Sequence, residues 1–221
     1  LNPFNYQSAS ASYIFSNIFM SLLAIDHETT ELVPWLAKSR PEIVVNDDNT
    51  VELTYEIRDE AVWDNGSPVT AKDVEFSFKV IKNPKVDCHR IRPYYEFIDG
   101  VIWDEANPKK FTVTFSEKYM SAEIASGDMS VLPKHIYDPD GMMDEFSIKQ
   151  LNDDASLSEN QTIIDYAEFF NSEKFKRDPE TIQGCGGYFL KRWQTGQRTV
   201  LEKKENWWGD KVKGANHWYE A

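Results

Sequence analysis

Eight residues constrain this chain most: Val51, Leu53, Tyr55 and Ile57 are apolar and alternate with Glu52, Thr54, Glu56 and Arg58. Successive side chains of an extended backbone point to opposite faces, so this alternation puts one set inward and the other outward. The segment predicts a strand with one buried and one wetted face, which needs an apolar partner. A helix start follows it. After the Asn65-Gly66 turn, Thr70 is placed as an N-cap, Asp73 can reach back to it, and Val69 and Val74 have the spacing of a hydrophobic staple. This helix is expected to run to about Lys82, where Asn83-Pro84 stops it.

Other elements are read in the same way. Ile14, Ile18, Leu22 and Ile25 recur at helical spacing, with Phe15 and Phe19 widening the stripe, and predict one helix from Ala9 to near Asp26. Pro34-Trp35-Leu36-Ala37 reads as an irregular apolar anchor and Asp47-Asp48-Asn49 as a turn. Phe97 to Trp103 and Lys110 to Phe115 read as strands around a turn at Asn107-Pro108. Helices are expected near Met142 to Leu151 and over Thr162 to Phe170. Beyond Gly184-Cys185-Gly186-Gly187, Tyr188 to Trp193 and Arg198 to Lys203 form a hairpin joined at Thr195-Gly196.

The charge balance excludes several partners. Among 221 residues, 24 Lys and Arg stand against 37 Asp and Glu, a net charge of −13, with no basic run to release counterions from nucleic acid or to bind an anionic membrane. Apolar residues at 41% and aromatics at 14% supply a core and exclude disorder as the main state. The longest apolar-leaning stretch, Tyr13 to Ile25, is broken by Ser16, Asn17 and Ser21 and is shorter than the roughly 20 residues a membrane-spanning helix needs. The two cysteines, Cys88 and Cys185, fit no zinc pattern and read as free or buried thiols rather than a bridge. Because the chain opens on Leu1 with no leader, either a signal segment has been removed or the sequence begins inside a longer protein.

Catalytic motifs are absent: there is no GxSxG elbow, HExxH pair, phosphate loop or EF-hand spacing. His27, His89, His135 and His217 are scattered, and Cys88-His89 reads as an ordinary pair rather than half a metal site. A carboxylate pair for hydrolysis is set by spatial distance and cannot be read from spacing, but Asp47-Asp48, Asp59-Glu60 and Asp153-Asp154 read as solvated surface. Asn65-Gly66-Ser67 and Asn160-Gln161-Thr162 match the glycosylation triplet, and Asn65 already has its turn to make. Trp207-Trp208 reads as a corner sealing the core in preference to a sugar or peptide platform. Tyr94-Tyr95, after Pro93, have amphipathic rings suited to a ligand cleft.

Several segments together resemble one family. Leu32-Val33-Pro34-Trp35-Leu36-Ala37, the strand through Tyr55, and the run from Trp63-Asp64-Asn65-Gly66-Ser67-Pro68 through Val69-Thr70-Ala71-Lys72-Asp73-Val74 to Phe78 resemble the family 5 extracellular solute-binding proteins, the oligopeptide- and dipeptide-binding components of ABC importers. Leu132-Pro133-Lys134-His135, Gly187-Tyr188-Phe189-Leu190 with Trp193, and Asn206-Trp207-Trp208-Gly209 match further segments in the family's order, as does the opening Leu1-Asn2-Pro3. Gly184-Cys185-Gly186-Gly187 departs from the family's usual loop.

The resemblance implies a mixed α/β (α+β) fold: the first lobe of a class II periplasmic binding protein, with residues 1–42 and 180–221 in lobe I, residues 43–179 as a small inserted α+β domain, and the second lobe missing, so that the chain reads as an amino-terminal fragment. It implies a two-lobed clamp that buries a peptide and presents it to a membrane permease, main chain held by strand-edge hydrogen bonds. By position, Ser10, Ala11, Ser12 and Tyr13 match the stretch that runs alongside the ligand. Tyr94 and Tyr95 match a ligand-facing tyrosine, and Gly186, Gly187 and Tyr188 lie toward the hinge-side wall. It further implies a monomer with no enzymatic activity, cofactor or metal, placed in the periplasm or otherwise outside the cytoplasm, free or lipid-anchored. Two alternatives stand beside it: a relative dedicated to a nickel chelate, haem, oligosaccharide or opine, and a hydrolase with spatially assembled carboxylates.

Overall fold

In a computed structural model, residues 2–6, 8–194, 196–212 and 214–215 are described; Leu1, Thr195 and His217, named above, lie outside them. The helix expected to reach Asp26 stops much earlier, with α1 spanning Ala9–Phe15. Its end is made by side chains that take the helix's own carbonyls: the Ser16 hydroxyl and the Asn17 amide both donate to Tyr13 O, at 3.3 and 2.7 Å. The apolar residues beyond it are buried on every side, and their main chain serves other segments. Ile18 O accepts from Gly186 N at 2.8 Å, Met20 O from Val131 N at 2.9 Å, and Leu22 O from Trp35 N at 3.0 Å. Helical spacing was therefore coincidental with core burial of an extended run. That run ends in β1, Leu23–Ile25, antiparallel to β2, Leu32–Pro34.

The alternating segment becomes β4, Val51–Glu56, after β3, Glu42–Val45, an exposed edge strand that pairs with it around the Asn46–Thr50 turn. Val51, Leu53 and Tyr55 are buried while Glu52, Thr54 and Glu56 are half-exposed, as the period requires. Then comes α2, Ala71–Lys82, from the predicted Thr70 cap to Asn83. β5, Ile98–Asp104, and β6, Asn107–Phe115, complete a four-stranded antiparallel sheet in the order β3-β4-β6-β5. The turn between them lies at Glu105-Ala106 rather than at Asn107-Pro108: Asp104 Oδ1 accepts from Ala106 N at 2.9 Å, and Asn107 already pairs with Asp104. The buried face sets Tyr55 against Phe111 and Leu53 against Val113, and α2 packs upon β5 and β6.

The rest of the chain caps this layer. Helices α3, Ala122–Gly127, and α4, Lys134–Tyr137, precede α5, Ile148–Asp153. The helix expected over Met142 to Leu151 is split into a short 3-10 turn, Met142–Glu145, and α5, because Ser147 caps a new start by accepting from Gln150 N at 3.1 Å. α6, Gln161–Asn171, matches its expectation, and Asn160 is its N-cap. With α7, Lys174–Arg177, it builds an aromatic cluster in which Tyr137 stacks on Phe175 at 4.8 Å and Tyr166 on Phe170 at 6.0 Å. β7, Tyr188–Gln194, and β8, Arg198–Lys203, form the expected hairpin. Trp207 is buried and both Trp207 and Trp208 donate to Cys185 O, at 2.7 and 3.0 Å, so this pair does seal a corner. Cys88 and Cys185 are buried free thiols.

Candidate functional site

A cleft of about 570 Å³ lies between α1, the anchor at Trp35, the 3-10 turn Arg92–Tyr95 and the end of α3. Aromatic rings of Tyr6, Trp35, Tyr94, Tyr95 and Tyr119 line it together with hydroxyls of Ser12, Ser16 and Ser121. A second cleft of about 420 Å³ adjoins it, lined by Tyr13, Asn17, Ile25 and His27, and the two share Ser16, Ser21, Trp35 and Asp128.

Local chemistry fixes each wall. Ser8 caps α1 by accepting from Ser10 N at 3.2 Å, and the short helix turns Ser12 and Tyr13 to the clefts. Tyr6 is held edge-on to Phe15 with ring centroids 4.7 Å apart, while the Arg90 guanidinium covers its other side at 4.2 Å. The tyrosine pair is carried by Arg92, whose guanidinium donates to Ile81 O at 2.8 Å, Asn83 O at 2.7 Å and Val86 O at 2.8 Å. Ile81 O lies in the last turn of α2 and Asn83 O at its C-cap, where the helix dipole favours a cation, and Val86 O lies in the loop beyond. The same guanidinium contacts Cys88 Sγ at 3.3 Å and His89 Nδ1 at 3.2 Å, so that pair serves an arginine clamp. Tyr95 leans on Phe78 with centroids 6.1 Å apart, and burial pushes its phenol up. Trp35 is buried, and its indole donates to Ala215 O at 3.0 Å.

Asp128 follows α3 as its C-cap. The carboxylate is open to the cleft yet set in a concave wall of protein, and desolvation pushes its pKa up to about 6. Gly127 before it is required by close approach: a Cβ there would meet Leu23 Cδ1 at 2.7 Å.

Of the residues expected at a site, Ser12, Tyr94 and Tyr95 come together in the larger cleft and Tyr13 in the adjoining one. Ser10 is exposed and Ala11 packs on the core, neither lining the clefts. These residues are helical, so their main chain offers no strand edge. Gly186, Gly187 and Tyr188 lie behind the wall, where Gly186 N and Tyr188 N donate to Ile18 O and Asn17 O at 2.8 and 3.2 Å. A Cβ on Gly186 would sit 2.6 Å from Asn17 O. Sequence reasoning missed Trp35, Tyr119 and Asp128 as lining residues. For Asp128 the available signal was Ser126-Gly127-Asp128, a helix stop with a carboxylate between apolar segments.

The hydroxyls of Ser16 and Ser21 donate to the carbonyls of Tyr13 and Leu23, at 3.3 and 2.6 Å, which leaves them poorly placed as nucleophiles. Among the described residues no group of three or more His, Cys, Asp or Glu is gathered as a metal site, and no helix is long and apolar enough to cross a membrane.

Comparison with known proteins places this architecture. The dipeptide-binding protein DppE of Bacillus subtilis is 25% identical over 202 residues, covering 89% of this chain but 33% of the relative. Among solved structures, the oligopeptide-binding protein AppA of Bacillus subtilis in complex with a nonapeptide superposes with a TM-score of 0.67 at 18% identity, over 94% of this chain and 34% of AppA. NikZ of Campylobacter jejuni, in complex with Ni(L-His), superposes at 0.57 with 24% identity, over 89% of this chain and 32% of NikZ. The chain thus spans about a third of the length of these proteins, and the mixed α/β fold is that of the class II periplasmic binding proteins. Residues 31–216 match the profile of the bacterial extracellular solute-binding proteins, family 5 middle, and the chain belongs to that family.

Proposed function

We propose that this chain supplies one wall of the solute-capturing clamp of an ABC importer and that the solute is a peptide. The wall itself carries the reading. Tyr13 and Tyr94, exposed at 76% and 65%, stand with Ile25 and Ile124 around the joined clefts. A soluble domain does not leave such a ring of large apolar side chains to water without a partner to cover it. In this reading residues 1–42 and 180–221 belong to lobe I, residues 43–179 form an inserted domain, and a second lobe closes over the cleft by hinge motion. Tyr13, Tyr94 and Tyr95 pack on the ligand with Ser12, the peptide main chain being held by serine hydroxyls and by the opposite lobe. Gly186, Gly187 and Tyr188 brace the hinge-side wall through Asn17. The protein acts outside the cytoplasm as a monomer, hands its ligand to a permease and catalyses no reaction.

The similarity to NikZ supports a second reading, a small metal chelate. With no cluster of metal-ligating side chains among the described residues, the metal would have to arrive already chelated. Isotope-edited NMR separates the two. Titration with acetyl-Ala-norleucine-Ala-amide is expected to shift the amides of Ser12, Tyr94 and Ala125, weakly because one wall is half a clamp. Shifts confined to a nickel–histidine chelate, with none from peptide, overturn the peptide reading.

A further inference from the structure

The joined clefts hold one formal charge of their own. Among the described residues, Asp128 is the only Asp, Glu, Lys, Arg or His lining the larger cleft, and it lines the smaller one as well, where His27 is the one other such residue. Three partly covered acids are paired with cations, Glu123 with Arg40 at 2.6 Å, Asp64 with Lys204 at 2.6 Å and Asp138 with Lys134 at 3.5 Å, while the buried Asp73 is held by hydrogen-bond donors instead. Asp128 has no ion-pair partner among the described residues, and its environment acts on it by desolvation alone. The same cleft is lined by Trp35, Tyr94, Tyr95 and Tyr119, aromatic rings of a kind whose faces attract cations, in a chain of net charge −13. Asp128 is exposed to the cleft, so its carboxylate is free to meet a cation that enters, and titratable groups set in clefts with shifted pKa values concentrate at functional sites.

Resting on the reading of this cleft as a ligand site, we infer that it selects solutes carrying a cationic group, an ammonium or guanidinium, which seats against the Asp128 carboxylate between the aromatic rings. For a peptide this means a lysyl or arginyl side chain pointing into this wall. Acidic solutes meet the Asp128 carboxylate with no Lys or Arg among the described lining residues to receive them, and so bind more weakly.

The test uses three capped peptides that differ in one side chain: acetyl-Ala-Lys-Ala-amide, acetyl-Ala-norleucine-Ala-amide and acetyl-Ala-Glu-Ala-amide. Each is titrated by NMR at pH 7.5 and low salt into the chain and into Asp128→Asn. Lysine is expected to bind about fivefold more tightly than norleucine, glutamate more weakly than either, and the lysine preference to shrink as salt rises. In Asp128→Asn the ratio of lysine to norleucine affinity is expected to fall to about one. If norleucine binds but lysine gains nothing, or keeps its gain in Asp128→Asn, the cationic inference is overturned and the peptide reading stands. If no peptide binds, n-butylammonium against n-butanol decides. Shifts at Ala125 and Ser130 from the cation, lost in Asp128→Asn, uphold the inference without peptides; none at all overturns it.

Discussion

Removing the Asp73 carboxylate is expected to be the most damaging single change on α2. It is buried, and one oxygen accepts from Thr70 N at 2.9 Å and the Thr70 hydroxyl at 3.1 Å, with the Trp63 indole at 3.4 Å. The other accepts from Lys134 N at 3.1 Å, at the first turn of α4. The side chain therefore joins the Trp63 loop, the start of α2 and the start of α4. Asp73→Ala orphans two covered main-chain donors at about 1–3 kcal/mol each, and relief of the desolvation that pushes the Asp73 pKa up returns part of this. The net loss is about 3 kcal/mol, which for a chain of this size lowers the thermal midpoint by roughly 6–12 °C. Thr70→Ala, which keeps the carboxylate and both main-chain donors, is expected to cost about 1 kcal/mol. Urea unfolding followed by far-UV circular dichroism measures both. If Asp73→Ala costs no more than Thr70→Ala, the carboxylate is not the junction described here.

Asp128→Asn should stabilise the chain at neutral pH. The folded pKa is raised to about 6 from the usual 3.8, so the folded state binds more protons between these values and wild-type stability falls as pH rises through that window. The gain of the variant is expected to be full above pH 6 and absent below pH 4; midpoints that run parallel across this range refute it. Gly186→Ala is expected to cost at least about 2 kcal/mol, since its Cβ meets Asn17 O at 2.6 Å and Ile18 O at 2.8 Å and main chain must move. A change under 0.5 kcal/mol in urea unfolding would count against that close packing. The Tyr166 hydroxyl is buried with no hydrogen-bond partner among the described residues, so Tyr166→Phe should be neutral or raise stability by about 1 kcal/mol, and a clear loss in calorimetry would reveal a hidden partner.

Features legible in the sequence were those decided by neighbours along the chain. Alternation at Val51 to Ile57 fixed a strand because burial on one sheet face has the period of the backbone. Thr70, Asp73, Val69 and Val74 fixed a helix start because a cap and a staple are local. The β7–β8 hairpin and α6 were read for the same reason. What failed was decided across the chain. Ile18 to Leu22 have a helix's spacing, but their carbonyls are claimed by Gly186, Val131 and Trp35, donors that no local pattern reveals. β3 was overlooked because Ile43, Val44 and Val45 are all exposed on an edge and show no alternation. At the site, the aromatic pair at Tyr94-Tyr95 was visible as a type of side chain suited to a cleft. Asp128 looked like one acid among many, and only the meeting of α3 with the Trp35 anchor distinguishes it.

The proposed capture of peptides is tested by native mass spectrometry on the longest form of the protein its source makes, purified without denaturation. A spread of adduct masses that fragment into peptides, enriched in lysine and arginine, is expected. A single sharp adduct that yields no peptide fragments would contradict peptide capture.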